Sequence, residues 1–313
     1  MALANDAGPL ADLPDAVSLY EVSPRDGLQN ESAYVTTDGK RRLVGALVAA
    51  GCRRIEISSF VSPTWIPQLA DAEELAKSLA PFPEGVTFSA LVPNPKGLAR
   101  ARAAGLREVA VFLSSSETHN AKNIAKTIDE TLALYRDVVA EAIAGGLRVR
   151  AYVSTVWGCP YEGAIDPRRA LAIAHDLLAM GCYQVSLGDT IGVGTPRQTD
   201  AIVRMFLAEI AQEKIALHLH DTRGTALANI LVGLERGVRT YDSSVAGVGG
   251  CPYAPGAAGN VASEDLVYML HGMGIATGVD LDKLVEAGRV AEALLRRSLP
   301  GKVHQAGVRS LKV

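Results

Sequence analysis

The sequence predicts an α/β protein in which eight parallel strands close into a TIM (β/α)8 barrel, with an additional C-terminal helix. Apolar, β-branched pieces alternate eight times with segments of helical period, and no long linker interrupts them. The competing architecture, an open doubly wound sheet, expects a glycine-rich dinucleotide turn after the first strand. This chain has "SPRDGLQ" (23–29) in that place, which favours the barrel.

The elements can be assigned in chain order from hydrophobic periodicity. Strands are expected at 17–22, 53–58, 86–91, 108–113, 148–154, 183–188, 215–220 and 240–245. Helices are expected near 38–50, 67–79, 95–104, 122–145, 167–180, 197–212, 223–236 and 263–273. A final helix near 281–298 is expected to pack outside the barrel.

Capping residues agree with this division. Thr195 and Asp166 are expected to be N-caps, because each stands directly before a proline that can occupy the first helical turn. Glycines stand where helices should end, at Gly51, Gly181 and Gly237. We therefore expect an N-terminal tail over 1–16, one barrel domain over 17–300 and a C-terminal tail over 301–313.

Composition excludes several classes of partner. The 313 residues are 48% hydrophobic with a formal net charge of −3, and no basic patch suggests nucleic-acid binding. No apolar run approaches the roughly 20 residues of a membrane helix. The N-terminus lacks the features of a secretory signal, and the four cysteines are scattered. We therefore expect a cytoplasmic protein with reduced thiols.

Polar residues stand at the carboxyl ends of several predicted strands, where β/α barrels gather their functional side chains. Strand one ends at Arg25 and Asp26, strand two carries Glu56, and strand six ends at Asp189. Strand seven carries two histidines, and strand eight leads into the glycine-rich loop "AGVGGCPYAPGAAGN" (246–260). These residue types are metal ligands and acid–base groups.

The pentapeptide "LHLHD" (217–221) is the most informative stretch. Side chains alternate along a strand, so His218 and His220 share one face while the leucines take the other. Two such histidines can ligate one divalent ion, although an isolated pair is more often simply hydrogen-bonded. Asp26 from strand one changes that balance, because two imidazoles and a carboxylate suit a catalytic ion such as Mg²⁺ or Mn²⁺.

Four other positions have a structural and a functional interpretation. Arg25 beside Asp26 is either a buried ion pair or a cation for charge that develops on substrate oxygen. Asp189 is a turn residue or, as its position at a strand end favours, an active-site carboxylate. Cys251 is an inert thiol or the thiol of a glycine-rich lid that could also hold a phosphate. Asn260 is a helix cap or a neutral oxygen ligand.

Several motifs resemble the 3-hydroxy-3-methylglutaryl-CoA lyases of the DRE-type metal-dependent barrel superfamily: "EVSPRDGLQNE", "SLGDTIGVGTP", "HLHDTRGTALANI" and "GGCPYA". The resemblance runs from about residue 17 to 300. It implies cleavage of the acyl-CoA thioester to acetyl-CoA and acetoacetate, in leucine degradation or ketone-body formation, by an enzyme that forms a homodimer.

The resemblance also implies roles for residues of this chain. The divalent ion would be held by Asp26, His218, His220 and Asn260. Arg25 would face the thioester oxygen, and Cys251 would be a general acid. Glu56, Gln29 and Asp189 would complete the polar network, with Asp189 or Asp26 taking the hydroxyl proton.

Three alternatives remain open at the level of sequence. Arg223 and Thr225 depart from the family pattern and could favour a longer branched 3-hydroxyglutaryl-CoA. A condensing synthase of the same superfamily would run the chemistry in the opposite direction, although the Cys251 loop is typical of the lyases. A non-catalytic acyl-CoA-binding barrel would be favoured by loss of a ligand, yet every matched position is filled.

Overall fold

Eight parallel strands form a closed barrel, as the sequence predicts. The structure is a computed structural model that describes residues 12–251 and 254–308, with backbone alone at 251 and 254–257. The barrel strands are β1 Ser18–Glu21, β2 Arg54–Ser59, β3 Thr87–Leu91, β4 Glu108–Ser114, β5 Arg148–Ser154, β6 Gln184–Asp189, β7 Ile215–Leu219 and β8 Thr240–Ser243. Each strand pairs with the next, and β8 closes the barrel against β1.

Helices surround the barrel. They are α1 Thr37–Ala49, α2 Ala72–Ser78, α3 Pro95–Ala103, α4 Glu117–Ile124, α5 Ile128–Ala144, α6 Pro167–Ala179, α7 Pro196–Leu207, α8 Ala226–Glu235, α9 Ser263–Gly272, α10 Leu281–Leu295 and α11 Lys302–Ala306. Thr195 and Asp166 are N-caps, as predicted. The predicted final helix is α10, which packs on α1. Among the described helices, none combines the length and the apolar character needed to span a bilayer.

The structure differs from the predicted elements in four places, one of which is helix α11 within the predicted C-terminal tail. The single helix predicted at 122–145 is two helices, because Ala125 takes a left-handed conformation (φ 58°) and Thr127 with Glu130 forms a capping box that starts α5. The predicted helix at 67–79 is a tight turn at Pro67–Leu69 followed by α2. The glycine-rich loop contains a two-stranded sheet of β9 (Gly250–Cys251) and β10 (Ala254–Ala258).

The two faces of the barrel strands differ in polarity. In β5, Val149, Ala151 and Val153 belong to the hydrophobic core between the strands and the helices. Arg150 and Tyr152 alternate with them and therefore face the barrel interior. The interior thus contains buried charged groups, and these lead towards the carboxyl ends of the strands.

Candidate active site

The two histidines of β7 lie side by side at the carboxyl end of the barrel. His218 is in the strand and His220 follows its last residue, and both are buried. Their Nε2 atoms are 3.2 Å apart, while Leu217 and Leu219 pack into the core on the opposite face. The alternation predicted for this strand is therefore confirmed.

Asp26 reaches the histidines because β1 ends in one wide helical turn over Ser23–Gly27. The backbone N–H groups of Arg25, Asp26 and Gly27 all donate to the carbonyl of Val22, at 3.1, 2.8 and 3.2 Å. Turns of this π type are rare in proteins, and many of those that occur lie at functional sites. A Cβ on Gly27 would lie 3.0 Å from the Val248 carbonyl, so glycine is the residue that fits.

The carboxylate of Asp26 completes a group of three possible metal ligands. Its Oδ2 lies 3.8 Å from Nε2 of His218 and 3.9 Å from Nε2 of His220. Together with the 3.2 Å between the imidazoles, these distances place an equidistant point roughly 2.1 Å from each atom, within the range of metal–ligand bonds. The donor set and its spacing therefore fit one divalent ion.

The charge states of these groups also suit a metal ion. Burial would raise the pKa of Asp26, but the Arg25 guanidinium and the two imidazoles hold it well below its usual range. Burial and the neighbouring His218 lower the pKa of His220 to about 4. The aspartate is therefore ionised and His220 is neutral at physiological pH, which are the protonation states that bind metal.

Two buried charged residues, Asp242 and Arg150, support the imidazole of His218. Its Nδ1 lies 3.3 Å from Oδ2 of Asp242 in β8. Asp242 also accepts two hydrogen bonds from Arg150, at 2.7 and 3.2 Å, and one from Ser186 at 2.8 Å. A carboxylate behind a metal-binding imidazole fixes its tautomer and orientation. Neither charge was predicted from the sequence, although "TYDSSV" and "RVRAYVS" each place one at an inward position of a strand.

Arg25 lies beside the three ligand atoms and is held from several sides. Its guanidinium donates to Asp26 and to Glu56, and its centre lies 5.5 Å from the ring centroid of Tyr152. The Tyr152 hydroxyl donates to the other oxygen of Glu56 at 3.1 Å. Burial raises the pKa of Glu56, and the charge of Arg25 opposes that rise. Glu56 therefore orients the arginine from below.

A cavity of about 530 Å³ opens above this cluster. Arg25, Asp26, His218 and His220 form its floor. Gln29, which the family resemblance implies as part of the polar network, is half-buried in its wall. Trp65, Asn94, His119, Asn123 and Lys126 also line it. The cavity thus combines a charged floor with a mixed polar and apolar wall.

Asp189 is not among the residues that line the cavity over the ligand cluster, and its catalytic role stays a prediction. It is fully buried and accepts hydrogen bonds from the backbone N–H of Val193 at 3.0 Å and Gly194 at 2.8 Å. Its carboxylate therefore folds the loop after β6, which is the turn role that we had ranked second.

Arg223 and Thr225 serve the same loop. Arg223 donates to the carbonyls of Ile191 and Gly192, and Thr225 donates to that of Gly194. Neither residue lines the cavity over the ligand cluster. These two departures from the family pattern therefore lie outside the walls of the site.

Asn260 and Cys251 come from the segment after β8. Asn260 donates its amide to Oδ2 of Asp26 at 2.8 Å, and the helix cap before α9 is Ala262, so Asn260 is not that cap. Because amide oxygen and nitrogen can exchange places by rotation, Asn260 can present an oxygen to the same point. Cys251 has its backbone in β9, and its side chain lies outside the described residues.

A parallel barrel with two imidazoles, a carboxylate and a buried guanidinium at its carboxyl end has the architecture and donor set of metal-dependent TIM-barrel enzymes. The chain belongs to the HMGL-like family, whose sequence profile matches residues 16–291.

Individual relatives cover nearly the whole chain. It is 51% identical to the mitochondrial hydroxymethylglutaryl-CoA lyase of Bos taurus, over 94% of this chain and 90% of that protein. It is 47% identical to the cytoplasmic 3-hydroxy-3-methylglutaryl-CoA lyase of Mus musculus, over 97% of this chain and 88% of that protein.

Solved structures of HMG-CoA lyases also match nearly the whole chain. The HMG-CoA lyase of Bacillus subtilis has a TM-score of 0.92 at 45% identity, covering 94% of this chain and 98% of that one. An HMG-CoA lyase of Acinetobacter baumannii, solved with coenzyme A and 3-methylmalate, has a TM-score of 0.90 at 38% identity. The match covers 100% of this chain and 99% of that one.

Proposed function

We propose that this protein is a metal-dependent carbon–carbon lyase that cleaves 3-hydroxy-3-methylglutaryl-CoA to acetyl-CoA and acetoacetate. The observation that carries the proposal is the convergence of Asp26, His218 and His220 beside Arg25 at one barrel mouth. The relatives that match at 47–51% identity over more than nine-tenths of the chain bear the name of this activity.

The ion would be held by Asp26, His218 and His220, with Asn260 as a fourth, neutral ligand. Carboxylate and amide oxygens with two imidazoles suit Mg²⁺ or Mn²⁺. When bound, such an ion lowers the pKa of a substrate hydroxyl that it contacts. Asp242 acts indirectly, because it keeps Nδ1 of His218 engaged and leaves Nε2 to face the site.

Arg25 stabilises the charge that develops on the substrate. As the bond between C2 and C3 breaks, its electron pair moves onto the thioester and forms an enolate. A fixed guanidinium opposite the thioester oxygen favours this transition state over the ground state. Glu56 and Tyr152 hold Arg25 in place before substrate arrives, so little reorganisation is needed.

Two proton transfers complete the reaction. The C3 hydroxyl loses its proton as the ketone of acetoacetate forms. Of the two candidate carboxylates, Asp26 and Asp189, we assign this proton to Asp26, because Asp26 lines the cavity whereas Asp189 accepts hydrogen bonds from its own loop. The enolate carbon takes a proton from the Cys251 thiol and becomes acetyl-CoA. Gln29, in the cavity wall, binds a polar group of the substrate. Asp26 and Cys251 then exchange protons with solvent and regain their starting states.

The test is purified protein with the thioester and Mg²⁺, with acetoacetate and acetyl-CoA measured separately. Equal amounts of the two products are expected, with activity lost in EDTA and restored by added Mg²⁺. Asp26→Ala should abolish turnover, whereas Asp137→Ala, an exposed aspartate of α5, should leave it unchanged. Cleavage that persists without divalent metal would contradict the proposal.

We also propose that the protein works as a homodimer in the cytoplasm. The dimer rests on the family resemblance, and cytoplasmic relatives exist beside mitochondrial ones. Light scattering during size-exclusion chromatography tests the first point, and cell fractionation tests the second.

A further inference from the structure

A second cavity, of about 690 Å³, lies at the opposite end of the barrel, where the strands begin. Four arginines line it: Arg53, Arg54, Arg148 and Arg239. Arg54 and Arg148 are the first residues of β2 and β5, and Arg53 and Arg239 directly precede β2 and β8. Because parallel strands all begin at the same end of a barrel, basic residues at these positions gather there.

Carboxylates do not balance these charges. Glu213 is the one acidic residue among the described residues that line this cavity. Arg148 has a buried partner, Glu108, at 3.5 Å. Within the described part of the chain, Arg53, Arg54 and Arg239 form no ion pair. The cavity therefore carries an excess of positive charge in a protein whose net charge is −3.

Contacts with Tyr183, a partly buried residue, hold part of this arginine group in position. The guanidinium of Arg148 lies 4.0 Å from the ring centroid of Tyr183, whose hydroxyl donates to Glu108 at 3.0 Å. Nη1 of Arg54 lies 3.4 Å from the same hydroxyl. Below them, the buried amide of Gln184 donates to Oγ1 of Thr240 at 3.2 Å. Two of the four guanidinium groups are thus preorganised on a fixed floor.

We propose that this cavity binds a small polyanion that carries two or more phosphate or carboxylate groups. Guanidinium groups recognise both kinds of oxyanion through paired, charge-assisted hydrogen bonds. Arg148 and Arg54 contact Glu108 and Tyr183, and Arg53 and Arg239 supply charge that no ion pair within the described part of the chain neutralises. The cavity shares no lining residue with the one over Asp26, so the anion does not compete with substrate there.

The test is calorimetric titration of the full, Mg²⁺-loaded protein with two probes that chelate the metal weakly. Fructose 1,6-bisphosphate represents the polyphosphates, and tricarballylate represents the polycarboxylates. At least one probe should bind with a Kd below about 1 mM. The double variant Arg53→Ser/Arg239→Ser should weaken binding at least about tenfold, because each arginine supplies charge-assisted bonds.

The matched control is Arg136→Ser/Arg197→Ser, which changes the net charge equally on the exposed faces of α5 and α7. It should keep the wild-type Kd within about twofold, and so should Lys126→Ala, which removes a cation from the wall of the cavity over Asp26. Binding of one probe alone supports the proposal and identifies the oxyanion. The proposal is overturned if neither probe binds, if both double variants weaken binding equally, or if Lys126→Ala weakens binding as much as Arg53→Ser/Arg239→Ser does. All variants should keep the wild-type melting temperature.

Discussion

Asp242→Asn is expected to weaken both the fold and the metal site. Asp242 is buried between Arg150, Ser186 and His218, and accepts a hydrogen bond or charge contact from each. Burial would raise its pKa, but Arg150 and His218 hold the pKa below its usual value, so the carboxylate is ionised at neutral pH. Asparagine keeps the volume, removes the charge and turns an N–H₂ group towards donors.

The expected size of the effect follows from these contacts. Arg150 is completely buried, and losing its bidentate partner leaves an uncompensated charge in the barrel interior. Breaking a buried pair from one side destabilises proteins by about 3–5 kcal/mol. The carboxylate also supports a metal-binding imidazole, and removal of such a support lowers metal affinity about 10–100-fold.

The assays are urea unfolding and calorimetric titration with Mn²⁺, both at one neutral pH. Ser186→Ala is the matched control, because it removes a neutral hydroxyl from the same carboxylate and leaves both charges in place. It should lower the free energy of unfolding by about 1 kcal/mol and leave metal affinity within about twofold. The reasoning fails if Asp242→Asn is no less stable than Ser186→Ala, or if it binds Mn²⁺ as wild type does.

Further substitutions test other parts of the site and the fold. Arg25→Lys keeps the charge but loses the forked contact with Asp26 and Glu56, so kcat should fall about 10²–10³-fold. A kcat within threefold of wild type would show that Arg25 does not stabilise the transition state. Tyr152→Phe removes one hydrogen bond to Glu56, so kcat should fall only about tenfold, and a larger loss than for Arg25→Lys would contradict this order. Burial raises the pKa of Glu264 to about 8, so the folded protein holds a proton that the unfolded chain releases near pH 4.5. As pH rises from 5 to 8, the free energy of unfolding of wild type should therefore fall relative to that of Glu264→Gln, by on the order of 4 kcal/mol in urea unfolding. A difference between the two proteins that does not change with pH would contradict the raised pKa.

The parts of the site that could be predicted from the sequence lie on single strands. The alternation of "LHLHD" requires both imidazoles to share a face, and the barrel then places them at the mouth. Asp26 could be added because β1 and β7 both neighbour β8 in a closed barrel. The alternation of side chains along a strand and the order of strands in the barrel were sufficient to predict that these three residues lie together.

The parts that were missed depend on pairing across the barrel. Arg150 and Asp242 are 92 residues apart, and neither strand alone indicates that the other holds a compensating charge. Asp189 kept two interpretations because a strand end and a turn that binds backbone N–H groups look alike in sequence. The break at Ala125 was missed because a left-handed alanine leaves no sequence signal comparable to glycine.

In the proposed reaction, Asp26, His218 and His220 hold one divalent ion to which the substrate hydroxyl is presented. Electron spin resonance of the Mn²⁺-loaded protein tests it most directly. One Mn²⁺ per chain is expected, with coupling to imidazole nitrogen that decreases in His218→Ala and in His220→Ala. A thioester labelled with magnetic oxygen at its C3 hydroxyl should broaden the signal. A spectrum without nitrogen coupling, or one that the labelled substrate leaves unchanged, would contradict the account.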